Sequence, residues 1–272
     1  MPYDFSESSR QAARYACEFG RRFGAAVTLL HVLPPFRYEF AMTEPSDERL
    51  RQVNQQRATQ ARAALAELGL RYEVIEGDPA QEIVGASNSG EYDAIVMSTL
   101  GAGAFRRWLM IGSVTAKVLH ASERPVITGV HFESATSPEN IRKILCAIDL
   151  GKQSARILCW AHRAARSLNA SLLVGHAASG SEVAHIADGE GWRDAQARQL
   201  TEEVDNLKRS LQVDAETHVR FGAPARAISE LASQSAADLV ILGRGESQDL
   251  IGRLRANAYD IIRQCPCPVV SV

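Results

Sequence analysis

Apolar residues in this chain fall into short runs that alternate with longer stretches where apolar positions recur every three to four residues, a strand and helix pattern. In the second half, residues 144–148 form an apolar strand ending at Asp149, 153–168 carry helical periodicity, 171–176 are a strand, and 193–211 make a charged amphipathic helix. Residues 215–221 then alternate as a strand, and Gly222-Ala223-Pro224 supplies a turn and a helix start. Residues 225–233 continue as helix, 238–242 read as a buried strand, and 269–272 close the chain as another. The first half follows the same order: helix 6–23, strand 26–32, helix 48–68, strand 71–76, helix 79–89, strand 94–98, helix 112–122 and strand 125–130. Strands joined through helices of this length imply right-handed crossovers, hence α/β domains with an open parallel sheet sandwiched between helices.

The two halves are one unit written twice. Asp4 and Asp149, His31 and His176, Gly77 and Gly222, Pro79 and Pro224, and Asp93 and Asp238 all stand 145 positions apart, at equivalent points of the pattern. Two homologous domains are expected, over residues 1–132 and 140–272, each long enough to bury its own core. Residues 133–139 are polar and break the periodicity, as a linker does. Residues 33–47 hold three prolines and several aromatics, and read as a flap, an interaction loop or a plain surface excursion.

One element has no counterpart. Residues 142–148, the central first strand of the second copy, map by the same offset to positions that begin before Met1, leaving Met1-Pro2-Tyr3 to supply the strand's last steps. An interior strand satisfies backbone hydrogen bonds on both sides, so the first domain is expected to lack most of its first strand. The expectations are a natural start further upstream or a gap filled by another segment.

Composition narrows the function classes. A hydrophobic content of 46% and a charged content of 23% are those of a globular protein. A net charge of −2 gives no field to gather nucleic acid. The longest apolar runs are too short to span a bilayer and no secretory pattern opens the chain, so no membrane partner is expected and the cytoplasm is the expected compartment. Cys17, Cys146 and Cys159 stand in apolar contexts and read as small buried hydrophobes. Cys265-Pro266-Cys267-Pro268 has poor zinc spacing and is taken as the entry to the last strand, so no metal ligands are assigned.

Open α/β sheets place ligands at the carboxyl ends of their strands. In the first copy that edge receives Pro2-Tyr3-Asp4, His31-Val32, and Met97-Ser98 running on to Gly101, with Gly112-Ser113-Val114-Thr115 opening a helix. Glycines admit a close phosphate, a helix N-terminus offers unsatisfied N–H donors and a favourable dipole, and Ser113 or Thr115 adds a hydroxyl. A polyphosphate anion is the natural guest.

On these residues the chain resembles the universal stress protein superfamily, over nearly its whole length and as a tandem pair. Nucleotide-binding members carry Gly-X2-Gly-X9-Gly-Ser/Thr after the fourth strand, an aspartate at the end of the first strand and a valine near the end of the second. By that pattern Asp4 and Val32 resemble the adenine contacts, while Gly101, Gly112 and Ser113 resemble the second glycine, third glycine and hydroxyl of the phosphate loop. Ser98 replaces the first glycine, and ten residues rather than nine separate Gly101 from Gly112. The resemblance implies a Rossmann-like fold of the adenine nucleotide alpha hydrolase type, ATP as ligand with or without magnesium, pairing of the two domains through their last strands, and homodimers as a further level of assembly.

The second copy departs further. Asp149 remains at the adenine position and Gly243 at the first glycine, but Glu246 stands where Gly101 does, and Asn257-Ala258 where Gly112-Ser113 do. A carboxylate repels phosphate and alanine removes the hydroxyl, so this site is expected to be degenerate and the second domain mainly structural. Arg244, Arg253 and Arg255 grip phosphate by another geometry or are solvated surface. No nucleophile elbow, metal cluster or carboxylate pair accompanies His31 or His176, which read as structural, so no catalytic residue is assigned and turnover is at most a slow ATPase. The class-level alternative is a scaffold with both sites vestigial that recruits a protein through residues 33–47.

Overall fold

The structure is a computed structural model, and it describes residues 1–35, 47–99, 111–130, 132–178, 189–244 and 253–272. The described residues fall into two compact units, one from Met1 to Val126 apart from Ile111, the other made of Ile111 and the residues from Ile127 to Val272.

The first unit opens with Met1–Tyr3, followed by α1 (Glu7–Phe23), β1 (Thr28–Leu33), α2 (Asp47–Ala66), β2 (Arg71–Glu76), α3 (Pro79–Asn88), β3 (Ile95–Ser98) and α4 (Ser113–Ala121). Local chemistry sets several boundaries. Ser6 caps α1 by accepting from the Ser9 N–H, and Gly24 ends it at φ 64°; Asp78 caps α3 just ahead of Pro79. β1 and β2 pair in parallel from Thr28 with Arg71 to Leu33 with Glu76, as the crossover through α2 requires. Met1–Tyr3 lies beside β1 as expected of a strand's last steps: Pro2 bridges Leu30 in parallel, the Tyr3 N–H donates to Leu30 O at 2.9 Å, and the Leu30 N–H donates to Met1 O at 2.8 Å. Tyr3, Ala13, Leu29 and Leu65 form the apolar cluster beneath.

The second unit takes in β4 (Val126–Gly129) from Ile127 onward, then a single turn at Pro138–Asn140, β5 (Lys143–Ile148), α5 (Ser154–Leu168), β6 (Ser171–Ala178), α6 (Gly189–Ser210), β7 (Glu216–Phe221), α7 (Pro224–Gln234), β8 (Leu239–Leu242), α8 (Arg253–Gln264) and β9 (Val269–Ser271). Its strands run in the order β4-β9-β8-β5-β6-β7. β5 is central, paired in parallel with β6 over its whole length and with β8 from Ile144 to Ala147. Strands covered on both faces read as continuous apolar runs, and Ile144, Leu145 and Cys146 are fully buried together with Leu158 of α5 and Leu231 of α7. Each such leucine or isoleucine contributes about 1.5–3 kcal/mol relative to exposure.

Two sequence readings change. The segment read as a linker is tied down: Phe132 is buried, Thr136 Oγ1 donates to Asp238 Oδ1 at 2.8 Å, and the N–H groups of Arg142 and Lys143 donate to Asp238 Oδ2 at 2.8 and 3.0 Å. One hydroxyl of the polar segment 133–139 and two backbone donors at the start of β5 therefore converge on a single carboxylate. Helix α8, from Arg253 to Gln264, is an element that the second half's pattern did not disclose.

Candidate functional site

The turn after the central strand has the same geometry in both repeats. In the second, the Gly151 N–H and Ser154 Oγ donate to Asp149 Oδ1 at 2.8 and 3.1 Å, and Leu150 takes the left-handed conformation at φ 60°. In the first, the Ser6 N–H donates to Asp4 Oδ1 at 3.1 Å, Ser6 Oγ also donates to it, and Phe5 sits at φ 64°. The aspartate thus folds the turn as well as lining it, accepting from the backbone two residues on. His31 Nδ1 lies 2.7 Å from Tyr3 O, and His176 Nδ1 lies 2.9 Å from Ile148 O. Each histidine joins the second strand of its repeat to the carboxyl end of the first, which agrees with a structural role.

At the first repeat's edge, Val32 and Met97 are buried in β1 and β3, while Asp4 and Ser113 are exposed and Pro2, Ser98, Gly112 and Val114 are half-buried. The end of β3 and the start of α4 are drawn together, with the Gly112 N–H on Thr99 O at 2.8 Å and Thr115 Oγ1 on Ser98 O at 3.1 Å. Gly112 is the N-cap residue of α4, with extended backbone and no side-chain cap hydrogen bond. A Cβ there would stand 3.3 Å from Thr99 O, so glycine permits this close approach. Gly101 lies outside the described residues, as do residues 36–46 of the candidate loop.

The second repeat holds a cavity of about 130 Å³ at the carboxyl ends of β5 and β8, lined by Asp149, Lys152, Gln153, Gly243, Asn257 and apolar residues that include Ile157 and Ile261. Three of the sequence candidates, Asp149, Gly243 and Asn257, therefore meet around one space. Gly243 has a packing reason to be glycine, because a Cβ would collide with Cδ1 of Ile157. The Arg244 N–H donates to Val272 O at 3.2 Å, and its guanidinium is held below its ordinary value by burial and then by the charge of Arg156. Glu246 and the side chains of Arg253 and Arg255 lie outside the described residues. Lys152, Gln153 and Ile157 were not singled out in the sequence, although their place directly after Asp149 at a helix start was a usable signal.

The thiols divide by burial. Burial pushes Cys146 up to about 12, and Cys267 up to about 12 with Asp238 adding to it; Cys265 is raised as well, by burial and then by Cys267. Among the described residues no helix is long and apolar enough to cross a membrane.

Two open α/β units with an aspartate turn at the carboxyl end of the central strand define a tandem α/β class of protein. The universal stress protein family model matches residues 1–128 and again 140–272, and the chain belongs to this family as a tandem two-domain member. It is 31% identical over 131 residues to a universal stress protein of Thermus aquaticus, spanning 47% of this chain and 93% of the relative. It is 29% identical over 133 residues to one of Methanocaldococcus jannaschii, spanning 47% of this chain and 78% of the relative. The crystal structure of a universal stress protein from Archaeoglobus fulgidus shares the fold, with a TM-score of 0.67 and 24% identity over 99% of this chain and 96% of that one.

Proposed function

We propose that this universal stress protein serves the stress response by holding an adenine nucleotide, ATP with or without magnesium, at the carboxyl edge of its first repeat, without a catalytic residue of its own. The observation that carries the reading is the uncapped start of α4 at Gly112, beside the end of β3. There the N–H groups of Ser113 and Val114 and the Ser113 hydroxyl stand available to an anion, and the helix dipole favours negative charge. Asp4, beside Pro2 and Tyr3, and Val32 supply the base end, with Met97 and Ser98 between. The experiment is calorimetry of the full chain with ATP, wild type against Gly112→Asp. Binding is expected to vanish in the variant, where a carboxylate meets the phosphates and a side chain crowds Thr99 O; equal affinities remove this site from consideration.

A second reading is favoured by the cavity beside Asp149. It is roomy enough for part of a nucleoside, so the second repeat receives a base without the phosphate grip of the first. The same titration separates the two readings: one nucleotide per chain, unchanged by Asp149→Ala, supports a single seat, whereas two per chain falling to one in Asp149→Ala supports both.

A further inference from the structure

Residues 152–168 hold Lys152, Arg156, Arg163 and Arg166, and no aspartate or glutamate. At two of these positions the first repeat has the opposite charge: Glu7 stands where Lys152 does, and Glu18 where Arg163 does. Arg156, Arg163 and Arg166 are spaced seven and three residues apart, which sets them on one side of α5 over about 15 Å, with Lys152 just ahead of the N-cap Gln153. All four are exposed, and half-buried Trp160 lies one turn from Arg156 along the same side.

Neither local pairing nor helix stability accounts for this stripe. Arg10 pairs with Glu7, Lys208 with Asp205, Arg226 with Glu230 and Arg263 with Asp260, each acid within one turn of its cation. Among the described residues, none of the four cations of 152–168 makes an ion pair; Arg156 donates to Gln153 Oε1 at 3.2 Å. The first turn of α5 has no acidic residue, and cations there run against the helix dipole. Arg244 adds a further positive charge near Arg156, with the mutual repulsion noted above.

We propose that this basic side of α5 is a docking surface for an acidic helical segment of a partner protein, whose carboxylates meet Arg156, Arg163 and Arg166 while Trp160 serves as the aromatic anchor. A facing helix with glutamates one and two turns apart matches the spacing, and arginine forks pair with carboxylates bidentately. Nucleic acid fits less well, because the chain as a whole carries −2 and so few cations release few counterions. Lys152 at the head of this side also lines the cavity beside Asp149, whereas Arg156, Arg163 and Arg166 do not.

The test is fluorescence anisotropy of the full chain with a labelled helical peptide bearing glutamate at i, i+7 and i+10, and in parallel with a short labelled DNA duplex. The peptide is expected to bind in the micromolar range, less tightly as salt rises, and at least about tenfold more weakly to Arg156→Glu with Arg163→Glu. Both substituted residues are exposed, and Arg156→Gln with Arg163→Gln, expected to weaken binding by a smaller factor, serves if charge reversal disturbs folding. Arg226→Glu on α7 is the control and leaves binding unchanged. Absence of peptide binding up to about 1 mM, equal binding by the double variants, or tighter binding of the duplex than of the peptide each overturns the proposal.

Discussion

Tyr3 and Ile148 occupy the same point of the two repeats, and each offers its carbonyl to a histidine one strand away, yet they end very different strands. Ile148 closes a six-residue strand paired on both sides, whereas Tyr3 closes a three-residue segment joined to β1 by one bridge. The turn beyond is nevertheless the same, with an aspartate accepting from the backbone two residues on and a left-handed residue between. The geometry of the site edge is thus set by the last residues of the central strand and by the histidine that clasps them. The rest of that strand supplies stability.

The largest expected effect tests that division. Leu145 is fully buried in β5, and Leu145→Ala should cost the second unit about 2–5 kcal/mol while leaving the first unit's transition in place. Chemical denaturation followed through Trp160 and Trp192 reads the second unit. A loss below about 1 kcal/mol would mean that β5 is not the keystone of its sheet.

A smaller effect sharpens the histidine comparison. His176 is buried and His31 is half-buried. His176→Ala should therefore cost about 1–3 kcal/mol by stranding Ile148 O away from water, and His31→Ala about 0.5–1.5 kcal/mol. Equal shifts in thermal melting would break the distinction.

The smallest concerns a network in the second repeat. Lys208 Nζ donates to Thr217 Oγ1 at 2.7 Å and pairs with Asp205 at 2.8 Å, and Thr217 Oγ1 donates to Asp205 Oδ1 at 2.7 Å; Gln60, Ala63 and Tyr72 stand at the corresponding places of the first. The hydrogen bond from Lys208, then that from Thr217, holds the Asp205 carboxyl below its ordinary value. Its contribution is present above the unfolded-state value and lost as pH falls through the lower folded-state value. Since the carboxylate is well exposed, the worth is only about a few tenths of a kcal/mol. Melting curves on acidification should show wild type losing this increment below the ordinary carboxylate range and Asp205→Asn lacking it throughout; identical profiles would show that the network adds nothing.

The repeat, the order of strands and helices, and both aspartate turns were legible because each rests on local chemistry. Apolar runs of strand length, capping residues such as Ser6 and Asp78, and a fixed offset between like residues are properties of neighbours in the chain. The strand 71–76 and the turn into α7 at Pro224 came out where the pattern put them. Helix α8 escaped because its charged opening hides the apolar face carried by Ala258, Ile261 and Ile262. The tie from Thr136 escaped because Asp238 lies about a hundred positions away.

By itself the sequence determined a tandem α/β protein of the universal stress protein family and the residues that each repeat brings to its sheet edge, because periodicity and turn chemistry act over a few residues. Tertiary structure alone decided that Asp149, Gly243 and Asn257 share one cavity, that Gly243 is glycine to make room for Ile157, and that among the described residues the cations of α5 make no ion pair. Those outcomes depend on which side chains meet across elements far apart in the chain. Close packing resolves such meetings only once the whole domain has assembled.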